Sequence, residues 1–358
     1  MDLQPLIDRL ADFQQGTGPF VSVYIDARPD QVGRDKSRAF IRTELKARAA
    51  TYEERSPERR SIDADVERIL GWLEEMARPE ANGIVLFACA QANIFEAVQL
   101  EVPIEQSDVF VGPAPHLYPL AAVLDRFHRH AAVVLDTHSA RIFVFGLGEV
   151  VAQQAIESGE IPRSDAGGWS QARYQRHVEE FQRHHVKEVV DTLQRIVRDE
   201  GVDRVVVAAN DVALPLFRAE LPKALAERVV EVGDLDMSSP RDQIFRRSLE
   251  AMRERDAQDD AERVRRTLDA YRAGGLGVIG VDATLRALAN GQVHELIISA
   301  DPSGLRTANG RCAPEVADEL VARARQTDAR VRIIDDAALL AEAGGVGGLL
   351  RFRVREAA

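Results

Sequence analysis

The chain has 358 residues and 39.6 kDa, 45% of them hydrophobic, which is enough for two or three packed cores. Its 58 acidic residues outnumber 46 basic ones, and a net charge of -12 argues against nucleic-acid binding over a broadly basic body while allowing a local basic feature. Cys89 and Cys312 form no Cys-x-x-Cys pair, so neither a zinc site nor a disulfide scaffold is expected and reduced cytosol is the natural compartment. The first residues lack a basic stretch followed by an apolar core, so no signal peptide is read, and no apolar run approaches a membrane span.

In chain order, Leu3, Leu6, Ile7, Leu10 and Phe13 share one face and predict a short amphipathic helix over 3–15. A strand follows at Phe20–Ile25, then two charged helices at about 35–54 and 58–77, divided near Ser56-Pro57. Strands are expected at Gly83–Cys89, Phe95–Val102 and Val109–Val111, making residues 1–125 an α+β domain. Pro113, Pro115 and Pro119 mark a boundary at about 113–130. Ala131–Asp136, Ala140–Phe145 and Val150–Ile156 read as three strands of a meander. A helix over about 171–200, a strand at Val202–Ala208, a helix from Asn210 and a strand at Val229–Val232 complete a second domain, residues 126–238. Meander followed by alternation predicts an RNase H-like sheet. Ser239-Pro240 begins a long charged helix to about 272, leading into a third domain, residues 239–358. That domain carries a helix over 281–291 closed by Gly291, a strand at His294–Ser299, a helix at 314–327, a strand at Val331–Ile334, a helix at 335–342 and a last strand at Leu349–Val354. Such alternation predicts a layered α/β sandwich, and the whole chain is of α/β (α+β) class.

The stretch from Arg163 to Lys187 stands apart. Gly167 and Gly168 open backbone conformations closed to other residues, Trp169, Ser170 and Gln171 form the tip, and a helix follows. Five bases (Arg163, Arg173, Arg176, Arg183, Lys187) face three acids (Asp165, Glu179, Glu180), so the local charge is opposite to the global one. Cations behind a polar amide suit a loop that holds phosphates while orienting something small, such as a water.

This stretch resembles the middle domain of the archaeal/eukaryotic-type peptide chain release factors and their Pelota relatives. Gly167-Gly168-Trp169-Ser170-Gln171-Ala172-Arg173-Tyr174 is similar to their Gly-Gly-Gln loop and following helix, with two residues between the glycines and the glutamine. Gly168-Trp169-Ser170-Gln171 matches the Gly-x-x-Gln spacing of the Vms-type peptidyl-tRNA hydrolases. Leu288–Leu296 and Gly344–Phe352 are similar to the third release-factor domain, a kink-turn-protein-like α/β/α sandwich. The likeness covers roughly residues 131–358. The stop-codon-reading Asn-Ile-Lys-Ser and Tyr-x-Cys-x-x-x-Phe elements are absent from the sequence. The resemblance implies a cytoplasmic bacterial member that rescues stalled ribosomes by hydrolysing peptidyl-tRNA. Gln171 would orient water, Gly167 and Gly168 would give the loop 163–171 its reach, and Arg163, Trp169, Arg173, Arg176, Arg183 and Lys187 would contact RNA. Ribosome and tRNA are the implied partners, with a translation GTPase or another protein beside them, and neither cofactor nor metal is implied. Two alternatives stand: a non-catalytic occupancy factor, as in hibernation factors of the Balon type, and a nuclease cutting the tRNA acceptor end.

Other motifs have plainer readings. Gly168–Ala172 approximates a nucleophile elbow, which needs a strand immediately before it, and the preceding residues read as a polar loop. Gly275-x-Gly277-x-x-Gly280, with Asp301 about 20 residues on, fits a dinucleotide fingerprint, but helix rather than strand is expected before it. His128, His130, His177, His184 and His185 lack metal-ligand spacing, and the helix histidines read as solvated.

Overall fold

The computed structural model describes residues 3–13, 18–29, 37–78, 80–157, 171–311 and 313–353. It is a mixed α/β chain whose described strands form three sheets. By contacts it divides into two compact units, one of residues 127–258 and one of residues 2–126 with 259–358.

The 127–258 unit has a five-stranded sheet. Strands β5 (His130–Leu135), β6 (Ser139–Gly146), β7 (Glu149–Glu157), β8 (Arg204–Ala209) and β9 (Val229–Val232) lie in the order β7-β6-β5-β8-β9. The first three are antiparallel, while β5, β8 and β9 run parallel, as meander followed by alternation requires. Side chains alternate across a strand. Ala131, Val133, Leu135, Ile142, Val205 and Val207 therefore pack on one face against α5 (Gln171–Asp199) and α6 (Ala213–Glu220). Ala132, Val134, Phe143, Phe145 and Val206 pack on the other against Ile244, Ala251 and Met252 of α8 (Arg241–Arg272). Both faces are covered, so β5 and β8 read as nearly continuous apolar runs.

In the other unit, β1 (Phe20–Asp26), β2 (Gly83–Cys89), β3 (Ile94–Leu100) and β4 (Asp108–Gly112) form an antiparallel sheet ordered β3-β2-β1-β4. Helices α2 (Ser37–Ala49) and α3 (Pro57–Glu75) cover one face through Ile41, Leu45, Ile62, Ile69 and Leu73. Ser56 caps α3, its hydroxyl accepting from the Arg59 N–H at 3.0 Å. A second sheet, ordered β10-β13-β11-β12, is built from β10 (Gly277–Ile279), β11 (Val293–Ser299), β12 (Arg330–Ile334) and β13 (Val346–Leu350). Around it lie α9 (Val281–Ala289), α10 (Glu315–Gln326) and the last part of α8.

Three features differ from the sequence reading. Residues 118–126 form a helix, α4 (Tyr118–Arg126), where prolines marked only a boundary; Pro119 sits in its first turn, where a missing N–H is harmless. The last strand lies at 346–350, because Gly347 and Gly348 belong inside it. A Cβ on either would stand 2.9 Å from the Val278 carbonyl oxygen or 2.7 Å from that of Glu295, so only glycine lets the strands close. The segment at 337–343 is a 3-10 helix, its entry capped by Asp336, which accepts from the Ala338 N–H at 3.0 Å.

Within this unit, α1 (Gln4–Ala11) and the 113–126 region are tied to the second sheet and its helices. Arg325 meets Asp8 at 2.8 Å, and the Tyr118 hydroxyl donates to the Ser299 carbonyl at 2.6 Å. His116 Nδ1 lies 2.7 Å from the buried Asp318 carboxylate, which also accepts from the Tyr118 N–H at 2.9 Å. Arg332 pairs with Asp260 at 2.9 Å and Asp125 at 3.3 Å, all three side chains largely buried.

Candidate functional site

The site follows from how α5 is held. Its buried residues His185, Val186, Val189, Val190, Leu193 and Val197 recur at helical spacing and lie against the sheet. Among residues 175–184 no side chain is buried. At about 1.5 Å per residue, residues 175–184 therefore span roughly 15 Å without a fully buried side chain, Val178, Phe181 and Gln182 being half-buried. That half of the helix is a stalk. Its first turn contains no acidic residue, so the free N–H groups and the positive end of the helix dipole are uncompensated by a side chain of α5 itself.

Gln171 and Arg173 lie in the first turn of α5, and their side chains fall outside the described residues, as do Arg163, Gly167, Gly168 and Trp169 altogether. Arg176, Arg183 and Lys187 lie on the helix and are exposed. Arg183 is engaged: its Nε donates to Glu220 at the end of α6, 2.8 Å away, with Glu220 mostly covered. The pair braces the stalk against α6. Glu220 carried no signal in the sequence, since 37 residues separate it from its partner.

Below the stalk, the carboxyl ends of β5 and β8 lie side by side, Leu135 paired with Ala209. Their polar groups terminate the strands. Asp136 accepts from the N–H groups of His138 and Ser139 at 2.8 and 2.7 Å. Asn210 caps α6, accepting from the Ala213 N–H at 2.8 Å. Phe181 of the stalk lies beside His138, ring centroids 6.2 Å apart.

His177 and His184 are exposed as expected, but His185 is buried on the core face one residue further round. Burial lowers its pKa, partly offset by a hydrogen bond to the Ser139 backbone. His130 is also buried, between the rings of Phe145 and Phe245, with Nε2 2.9 Å from the Ser248 hydroxyl. Desolvation pushes its pKa down to about 4, so it is neutral at physiological pH. Among the described residues no three His, Cys, Asp or Glu side chains are grouped to hold a metal ion.

The competing motifs resolve simply. Within Gly275–Gly280 the strand β10 lies inside the glycine pattern, and α8 precedes it. Gly277 is needed because a Cβ there would stand 2.4 Å from the Tyr271 nitrogen and 2.5 Å from the Thr267 oxygen. The glycine serves helix–strand packing, and the strand-first order of a dinucleotide site is not present. Ser170 lies outside the described residues, and the strand described before it ends at Glu157. Cys89 is buried and Cys312 lies outside the described residues. No described helix is long and apolar enough to cross a membrane.

Residues 115–253 match the family described as bacterial archaeo-eukaryotic release factor family 10. The chain is similar to peptide chain release factor subunit 1 of Methanopyrus kandleri, 24% identical over 314 residues, spanning 84% of this chain and 75% of that protein. Superposition on the archaeal translation termination factor aRF1 gives a TM-score of 0.26 at 19% identity, covering 98% and 97% of the two chains. Ribosome-bound archaeal Pelota, in an assembly with ABCE1, gives 0.45 at 14% identity over 99% and 95%. Saccharomyces cerevisiae Dom34 gives 0.45 at 8% over 76% and 81%.

Proposed function

We propose that the chain, whose residues 115–253 match the bacterial archaeo-eukaryotic release factor family 10, is a ribosome-associated rescue factor that hydrolyses peptidyl-tRNA. The observation that carries this reading is the stalk. A Gly-Gly-x-x-Gln sequence runs directly into a helix in which residues 175–184 include no fully buried side chain, a design for reaching into a narrow site. The middle unit would act as the RNase H-like support of that arm, and residues 259–358 as a kink-turn-protein-like sandwich.

In the proposed mechanism Gln171 orients a water toward the ester carbonyl that joins peptide to tRNA. Its amide and the helix N-terminus favour the negative charge that develops on the carbonyl oxygen. Water's oxygen bonds to the carbonyl carbon, the ester bond to the ribose oxygen breaks, and that oxygen takes the proton. Arg173, Arg176 and Lys187 hold the tRNA phosphates, with Arg163 and Trp169 contributing from the loop. The rate comes from proximity and orientation, without a covalent nucleophile. The partners are the ribosome and tRNA, with a translation GTPase or another protein in attendance, in the cytoplasm.

The test is incubation of purified protein with ribosomes carrying labelled peptidyl-tRNA beside an empty A site. Wild type should free the peptide and leave the tRNA intact. Gln171→Ala should slow release by about 10²–10³-fold, the loss typical of removing one positioned donor. Equal release by both proteins would overturn the role of Gln171. A clipped tRNA would replace hydrolase by nuclease. Cosedimentation with peptide and tRNA both intact would replace it by an occupancy factor, the reading that the two-residue insertion Trp169-Ser170 favours.

A further inference from the structure

We propose that the 259–358 part of the chain carries a separate binding surface for single-stranded RNA, formed by Tyr271, Leu276, Phe352, Arg351 and Arg353. This goes beyond the release reaction and does not depend on it.

Seven large apolar side chains are well exposed among the described residues, and three of them, Tyr271 (46%), Leu276 (43%) and Phe352 (49%), lie at one end of the second sheet. A single exposed apolar residue needs no explanation, whereas a group containing two aromatics does. The backbone brings them together. Tyr271 lies in the last turn of α8, and its carbonyl accepts from the Gly274 N–H at 2.9 Å, closing the turn into β10. The Leu276 carbonyl accepts from the Leu350 N–H at 2.8 Å, extending the β10–β13 ladder by one rung. The Phe352 carbonyl accepts from Gln292 Nε2 at 3.3 Å. Arg353 then reaches back to the Gly274 carbonyl, joining the chain after β13 to the turn after α8. The aromatics are thus presented by hydrogen-bonded backbone, which limits the entropy lost when they are used.

Charge identifies the occupant. Arg353 donates to a backbone carbonyl, and Arg351 donates to the Asp328 carbonyl at 2.5 Å. A carbonyl accepts a hydrogen bond without cancelling a positive charge. The nearby acids Glu342 and Asp269 are both engaged by Arg272, at 2.6 and 3.6 Å, and Glu295 is held by Arg263. Among the described residues no ion pair joins Arg351 or Arg353 to a carboxylate, so the group keeps positive character on a chain of net charge -12. Aromatic rings and guanidinium groups carried by the same turns are what unpaired bases and their phosphates require, stacking on the first and pairing with the second. Double-stranded RNA keeps its bases stacked on one another and offers nothing to Tyr271 and Phe352.

The test uses the full chain and a fluorescein-labelled 12-nucleotide oligouridine, with binding followed by anisotropy over a range of salt concentrations. The wild type should bind. Tyr271→Ala and Phe352→Ala should each weaken binding by about tenfold, the scale of one lost base stack. Phe352→Tyr should retain it, and Arg353→Gln should reduce the slope of log affinity against log salt by about 0.7. Melting curves for each variant separate lost binding from lost folding. Absence of binding at low salt overturns the proposal. So does a Tyr271→Ala/Phe352→Ala double variant that folds and binds as tightly as wild type, or loss of oligouridine binding on Lys187→Gln with none on Phe352→Ala. A fully competent peptide-release reaction in the Phe352→Ala protein would leave the proposal intact, since the two surfaces are independent.

Discussion

At the scale of single residues, His130 shows how burial fixes a charge state. Its ring lies between Phe145 and Phe245, and desolvation lowers its pKa from 6.5 to about 4. The unfolded chain takes up a proton below about pH 6.5, while the folded chain resists until about pH 4. Protons are then bound more by the unfolded state throughout that window, and stability falls as pH is lowered from 6.5 to 4. The expected loss is on the order of 2–3 kcal/mol, measurable by urea denaturation across that range. A His130→Phe variant should lose most of this slope; if the slope is unchanged, another group sets the acid sensitivity. Nothing in the sequence separates His130 from His128, because what decides which ring is sealed in is where β5 begins, and it begins at His130.

The element that matters most is α5, one helix with two halves of different purpose. Its lower half is core, and Leu193 is fully buried there. Leu193→Ala should cost about 2–5 kcal/mol in urea denaturation. His177→Ala, on the exposed upper half, should stay within about 0.5 kcal/mol of wild type. If the two variants were equally destabilised, the upper half would have to be packed and could not serve as a projecting arm. The brace from Arg183 to Glu220 makes a finer point. Arg183 reads from the sequence as a phosphate ligand, and in the fold its guanidinium has a carboxylate partner. Any RNA contact by Arg183 must compete with that pair, which leaves Lys187 as the more available cation on that side of the helix.

For the molecule as a whole, residues 2–126 and 259–358 are held as one unit by polar contacts across a long span of sequence. The buried trio of Arg332 with Asp125 and Asp260 joins α4, α8 and β12. Arg332→Met keeps much of the packing volume and removes the cation that the two buried carboxylates share. It should cost about 3–5 kcal/mol. Calorimetry of the full chain should show the loss in the transition of this unit, and an unchanged thermogram would mean that the trio contributes nothing net.

The sequence by itself determined the order of elements, because hydrophobic period and turn chemistry are local. The strands of the meander, the long charged α8 and the helix closed by Gly291 all lie near where their patterns placed them. It also supplied the resemblance through Gly167, Gly168 and Gln171, since a motif is a matter of spacing along the chain. β10 escaped notice because three residues are too short a run to show a period, and β13 was misplaced because Gly347 and Gly348 resemble a turn until a neighbouring strand is seen to need them. The burial of His185 beside exposed His184, the brace from Glu220, and the joining of Asp318 to His116 across 202 residues were decided only by tertiary structure. Each depends on which surfaces meet after folding, and the free energy of such contacts comes from desolvation and pairing between groups that are strangers in the chain.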